Sequence, residues 1–259
     1  MEESPLVVVK LGGALITEKR KPLTLRRDKL EAAAEAVSNV DEDYRLVIVH
    51  GGGSFGHYAV IEAGESKQKF ITDVSYWMSV LNIEVVSALR RKGVSAVGVP
   101  PLTIMQYCQQ GYVVNAEMVS NFLKAKVTPV THGGLVLGRE GFQVMSGDTI
   151  ASELAIQLSA STLVFVMDVN SVYTADPFKD PTATPIRTLS REQLEGVKGG
   201  SSGLDVTGGI SLKLREAFRA AEAGVRVALG GLDEFQLMVR GVEGSYTRVV
   251  PSNTSYETG

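Results

Sequence analysis

Four glycine-rich turns carry the residues with chemical potential. The first is Lys10-Leu-Gly12-Gly13-Ala14, with Lys19 a short way on. Glycines there let backbone N–H groups approach phosphate oxygens without a Cβ in the way, and Lys10 offers a compact ammonium for charge that builds up during transfer. A tight strand-to-helix turn would also explain a lone Lys-x-Gly-Gly. The second turn, His50-Gly51-Gly52-Gly53-Ser54-Phe55-Gly56-His57, has no such simple structural account. Three consecutive glycines are costly in backbone entropy unless something must come close to the main chain. The free N–H groups and partial positive charge of a helix start suit a phosphate, and His57 adds a further donor beside it. His50, at a strand end, reads equally well as structural or functional.

The third turn is Ser146-Gly147-Asp148-Thr149. Ser146 and Asp148 both suit the first turn of a helix, and Asp148 is also a carboxylate able to orient Lys10 and a second lysine, or to touch a metal carried by a nucleotide. The fourth region begins at Asp168-Val-Asn-Ser-Val-Tyr173-Thr-Ala-Asp176-Pro177, which reads as a nucleotide pocket wall. It ends at Asp205-Val-Thr207-Gly208-Gly209, a Gly-Gly helix start with Lys213 one turn in, suited to β- and γ-phosphate oxygens.

These turns need elements that hold them together. Apolar runs of strand length alternate along the chain with longer segments of helical period, the pattern of βαβ units and a mostly parallel sheet, hence an α/β fold. Strands are expected at Leu6–Leu11, Leu46–Val49, Val94–Val99, Val127–Thr131, Leu163–Met167 and Val225–Leu229. Helices are expected at Asp28–Val37, Asp73–Arg91, Ser146–Leu158 and Ile210–Ala223, with a further one opening at the triple glycine. Leu135–Val144 reads as a hairpin, Thr174–Pro185 as a loop, and Ser190-Arg-Glu-Gln193 as a capping box. A soft boundary near residue 145 divides the chain into 1–145 and 146–259.

Composition narrows the function classes. Of 259 residues, 44% are hydrophobic and 21% charged, ordinary for a globular chain. A net charge of -3 argues against a nucleic-acid partner, which needs clustered basic surface. The single Cys108 rules out an internal disulfide and a thiolate-rich zinc site, so a reducing compartment is expected. No stretch reads as a membrane span or a leader, and a cytoplasmic protein without a membrane partner is the expectation. Gly51-x-Gly53-x-x-Gly56 also satisfies the dinucleotide fingerprint, so an NAD(P)-binding oxidoreductase stands as an alternative. That match is shallow. The next strand ends in Gly98-Val99-Pro100 where an acidic residue belongs, and Asp73 reads as a helix N-cap. Walker A spacing is absent, which removes the commonest ATP loop but not ATP.

Taken in order, Lys-Leu-Gly-Gly, His-Gly-Gly-Gly-Ser-Phe-Gly-His, Ser-Gly-Asp, Asp-Val-x-x-Val-Tyr-x-x-Asp-Pro and Asp-Val-Thr-Gly-Gly resemble the amino acid kinase superfamily over nearly the whole chain. Within it they are most similar to the isopentenyl phosphate kinases, His57 being the sharpest marker. The resemblance implies an open αβα sandwich, an N-terminal part that binds the phosphoryl acceptor, a C-terminal part that binds ATP with its Mg²⁺, and a homodimer. It also implies ATP-dependent phosphorylation of isopentenyl phosphate by in-line transfer, with fosfomycin or a similar small phosphonate as the alternative acceptor. Lys10, Lys19 and Lys213 would stabilise the transferring phosphoryl, and Asp148 would position the lysines. His57, with Gly51, Gly52, Gly53 and Gly56, would hold the acceptor phosphate. Gly12, Gly13, Asp168, Tyr173, Asp176, Pro177, Gly208 and Gly209 would hold the nucleotide. Phe70, Ile71, Tyr76, Trp77, Met78 and Ile83 fall where the family lines a slot for an apolar tail. No dedicated metal ligand is implied. The chain departs from the family pattern at Ala14, at His132-Gly133-Gly134 where Tyr-Gly-Asp is common, at Asn170-Ser171, and at Tyr246.

Overall fold

The computed structural model describes residues 4–18, 20–40, 42–175, 177–191 and 209–251. Strand β1 (Leu6–Leu11) is buried along its whole length, as a near-continuous Leu/Val run in a parallel sheet requires. A single turn α1 (Gly13–Ile16) and helix α2 (Arg27–Ser38) lead to β2 (Arg45–His50), parallel to β1. Helix α3 (Gly53–Ala63) opens at the triple glycine. The long helix α4 (Lys67–Arg91) starts before the expected Asp73. Its N-cap is Ser66, whose side chain accepts from the Lys69 N–H, so Asp73 lies inside the helix and caps nothing. The polar stretch Lys67-Gln-Lys hides that first turn from a reading of apolar period.

After β3 (Ala96–Gly98) comes a stretch that the apolar pattern left unassigned. It contains α5 (Pro101–Ile104), the hairpin of β4 (Met105–Cys108) and β5 (Gly111–Val114), and α6 (Ala116–Lys124), capped by Asn115. Strand β6 (Thr128–His132) follows, then the expected hairpin as β7 (Gly134–Gly138) and β8 (Gly141–Met145). Helix α7 (Gly147–Gln157) is capped by Ser146 and returns the chain to β9 (Thr162–Val166). A two-stranded ribbon of β10 (Val172–Tyr173) and β11 (Pro185–Ile186) brackets the expected loop, and β12 (Thr188–Leu189) follows it. Of the capping box, Glu192 and Gln193 lie outside the described residues. Helix α8 (Gly209–Glu222), β13 (Arg226–Gly230), the 3₁₀ turn Leu232–Glu234, α9 (Phe235–Arg240) and β14 (Thr247–Val249) complete the order.

The main sheet runs β12-β14-β13-β9-β1-β2-β6-β3, parallel except for the β13–β14 pair. It is continuous across residue 145, since β1 pairs with both β2 and β9. Alternation along each strand divides the core in two. Val8, Val47, Val49, Leu163 and Phe165 face α7 and α8, while Val7, Val9, Ile48, Val164 and Val166 face α2 and α4. Helices on both faces of a mainly parallel sheet make the expected αβα sandwich, and the alternation places Lys10 on the α7 side and His50 on the α4 side. Helix α4 buries the stripe Val74, Met78, Leu81, Val85 and Leu89. Leu81 is fully buried, so Leu81→Ala should cost about 2–5 kcal/mol in urea unfolding with little change in slope.

Candidate functional site

The glycine turns meet at the carboxyl edge of β1, β2 and β6, where open α/β sheets place ligands. They touch backbone to backbone. A Cβ on Gly13 would lie 2.5 Å from the Gly53 nitrogen, and one on Gly133 would lie 2.5 Å from the Gly147 nitrogen. Main-chain bonds close the arrangement: Gly51 N–H donates to Leu11 O, Gly133 N–H to His50 O, and Gly12 N–H to Val166 O. Thr17 Oγ donates to Gly13 O at 2.8 Å and accepts from Ser54 N–H at 2.9 Å, tying the first turn to the start of α3. The first amides of α3 have no acceptor within the helix. Ser54 spends its N–H on Thr17, and Gly52 and Gly53 stand in the wall of a cavity of about 470 Å³.

One carboxylate organises the charge. Asp148 sits in the first turn of α7, where the helix dipole favours an anion. Its Oδ1 lies 2.6 Å from Lys10 Nζ and 2.9 Å from Lys213 Nζ. Lys213, from the second turn of α8, also stands 5.1 Å above the Phe165 ring. All three side chains are largely buried. Burial raises the Asp148 pKa, but the two ammonium groups outweigh it and hold the carboxyl below its usual range. Burial, and next the nearby Lys10, pull Lys213 down to about 8. The cluster thus carries a surplus positive charge with one loosely held proton.

Lys10, Gly13, Gly51, Gly52, Gly53, Gly56, His57 and Asp148 are all brought to the cavity wall, His57 from an exposed position on α3. Tyr76 and Ile83 are not. They are 60% and 65% exposed on the outer side of α4, and its inner stripe presents Met78, one of the six expected slot residues, together with Val74. Choosing residues by segment ignored the 3.6-residue period, which the spacing of Val74, Met78, Leu81 and Val85 would have supplied. Val60, Val144 and Met145 complete the apolar lining, and Ala14 contributes a methyl where the family pattern has a hydroxyl. Val144 ends the expected hairpin, which gives no sign of facing a site, and Met145 extends its second strand by one residue.

The other described residues assigned to the nucleotide are not among those lining this cavity. Gly12 follows β1, Asp168 follows β9 and is exposed, Tyr173 is half-buried on the β10–β11 ribbon, Pro177 is exposed beyond it, and Gly209 opens α8. Lys19, Asp176 and Gly208 lie outside the described residues. Gly230 and Gly231, which the sequence reading passed over, end β13 against Asn170, whose side chain occupies the space a Gly231 Cβ would need. A strand ending in Gly-Gly was the available signal. The His132 and Gly134 departures are coupled, because a Cβ on Gly134 would sit 3.0 Å from His132 Nδ1.

A mainly parallel sandwich with glycine turns and a Lys–Asp–Lys cluster at one edge defines a phosphoryl-transfer scaffold, and the chain belongs to the amino acid kinase family, whose sequence profile matches residues 5–230. Among curated relatives, isopentenyl phosphate kinase of Methanothermobacter thermautotrophicus is 33% identical over 85% of this chain and 88% of its own. The enzyme of that name from Haloferax volcanii is 34% identical over 82% and 86%. The fold matches a product complex of T. acidophilum isopentenyl phosphate kinase with a TM-score of 0.77, at 24% identity over 94% of this chain and 99% of that one.

The depressed Lys213 sets a pH signature. Its folded pKa lies below its unfolded one, so between about 8 and 10.5 the unfolded chain binds more protons and stability rises with pH. Relative to Lys213→Met, the wild-type chain should gain on the order of 2–3 kcal/mol from pH 7 to 10 in denaturant titrations. A flat difference would remove the buried-ammonium account.

Proposed function

We propose that the protein transfers the γ-phosphate of ATP to the phosphate of isopentenyl phosphate, releasing ADP and isopentenyl diphosphate. The observation that carries this reading is the mixed lining of the cavity. His57, the glycine turn and the Lys10–Asp148 pair share it with Val60, Val74, Met78 and Val144. Such a space takes a small phosphate with a hydrocarbon tail. The relatives at 33% and 34% identity support the choice of acceptor.

An acceptor phosphate oxygen forms a bond to the γ-phosphorus while the bond to the β-bridging oxygen breaks and its electron pair leaves with ADP. The acceptor is already an anion and needs no strong base, so positioning and positive charge must do most of the catalysis. His57 and the Gly52 and Gly53 amides hold the acceptor phosphate. Lys10 and Lys213, kept in place by Asp148, meet the charge of the transferring group, with Lys19 as a third cation. Gly12, Gly13, Asp168, Tyr173, Asp176, Pro177, Gly208 and Gly209 serve the nucleotide. Magnesium arriving on ATP neutralises part of the polyphosphate charge. Residues 1–145 then belong to the acceptor and 146–259 to the nucleotide. The family resemblance extends the reading to a cytoplasmic homodimer supplying isoprenoid synthesis by a mevalonate route.

The first test measures ADP release from ATP–Mg²⁺ with isopentenyl phosphate, with fosfomycin and with no acceptor. Turnover is expected with isopentenyl phosphate alone, and turnover with fosfomycin alone would transfer the site to phosphonates. Thermal stabilisation by ATP–Mg²⁺ but not NAD(H) separates both from an oxidoreductase. His57→Ala should lower kcat/KM for the acceptor roughly tenfold to a hundredfold, the loss of one donor to a charged oxygen, with ATP binding nearly intact. An unchanged rate would remove His57 from the acceptor site.

A further inference from the structure

Two buried histidines take no part in the transfer described above. His50 ends β2 and His132 ends β6, directly opposite in register, with ring centroids 5.3 Å apart and planes tilted by 35°. They are 0% and 4% exposed, on the α4 side of the sheet. Burial, and next the neighbouring His132, push His50 down to about 3, and burial pushes His132 down to about 4. Each ring is therefore neutral near neutral pH and owns one N–H.

That single proton is contested at His50. Its Nδ1 lies 3.1 Å from the Gly51 carbonyl oxygen and its Nε2 lies 3.2 Å from the Asn82 side-chain oxygen. Two acceptors thus flank a ring with one donor. Turning the Asn82 amide end for end resolves the conflict, because its oxygen and nitrogen exchange places. Nδ1–H then donates to Gly51 O, and Nε2 accepts from the Asn82 NH₂. The exchange replaces the Asn82 contact to Val130 O, which at 3.5 Å is at the limit of a hydrogen bond, with two oxygens at that distance, a weaker conflict than a ring lone pair 3.1 Å from the Gly51 carbonyl. The opposite tautomer would aim the Nδ1 lone pair at a carbonyl oxygen.

The direction of the Gly51 carbonyl matters because the peptide is planar and trans. Holding its C=O to the imidazole turns the N–H of Gly52 the opposite way. Gly52 is the N-cap of α3 and a part of the cavity wall. We infer that His50 is a positioning residue: its Nδ1–H, with the tautomer set by Asn82 on α4, anchors the Gly51 carbonyl and aims the Gly52 N–H at the acceptor phosphate. The role rests on the cavity taking a phosphate acceptor. His132 covers His50 and turns its own Nδ1 to Gly133 O at 3.0 Å, so it offers the first ring no competing acceptor by that atom.

Asparagine places an amide nitrogen where histidine has Nδ1, and glutamine reaches only to the position of Nε2. His50→Asn should therefore keep the KM for isopentenyl phosphate near the wild-type value. His50→Gln and His50→Leu should raise it roughly tenfold to a hundredfold, with the KM for ATP unchanged, as expected for one misdirected N–H to a charged oxygen. Equal KM values for His50→Asn and His50→Leu, or a parallel rise in the KM for ATP, would overturn the inference. Imidazole ¹⁵N shifts of the wild-type chain, assigned with His50→Asn, give a second reading that needs no variant to be active. A protonated Nδ1 and bare Nε2 on His50 support the role, and the reverse overturns it. Because that spectrum is independent of substrate, a wild-type chain inert toward isopentenyl phosphate would strike the acceptor reading alone.

Discussion

The site depends on main chain packing against main chain with no room for a Cβ. The turns after β1, β2 and β6 and the start of α7 approach so closely that Gly13, Gly51, Gly133 and Gly147 each fill space a side chain would need. Parallel strands spaced by their ladders bring four turns to one edge, but only glycine lets those turns touch. What results is a surface of backbone N–H groups held by the sheet itself, stiff because every strand beneath it is buried on both faces.

The charged groups use the same scaffold differently. Strand alternation decides that Lys10 looks toward α7 while its neighbour Leu11 looks the other way, and the capping of α7 by Ser146 frees Asp148 to face inward. One carboxylate between two ammonium groups offsets part of the cost of burying each lysine. The opposite face of the sheet at the same edge is neutral, with two uncharged imidazoles in place of ions. Charged side chains and neutral imidazoles are thus segregated by the sheet.

Much of this was legible in residue order. The buried strands and the triple-glycine helix start follow from spacing and from local chemistry that tertiary contacts do not reverse, while the grouping of Lys10, His57 and Asp148 is what the family resemblance implies. Four features did not follow, each for a physical reason. Asn115 caps α6 in a stretch whose short elements give too few periods to register. Ser66 starts α4 through a side-chain hydrogen bond ahead of any apolar repeat. Tyr76 and Ile83 fell on the wrong side of that helix because apolar content was read without its phase. Gly230 and Gly231 were missed because their partner, Asn170, is distant in sequence.

The contact between residues 132 and 134 bears on how this edge of the protein changes over evolutionary time. With His132 in place, any side chain at 134 meets its ring, so the His-Gly-Gly form here and the Tyr-Gly-Asp form common in the family are not joined by independent single steps. A side chain at 134 requires the ring to give by a few tenths of an ångström, so losing it first spares the histidine that adjustment. Sterics therefore favour one order of substitution, and glycine at 134 is the residue that leaves the histidine pair undisturbed.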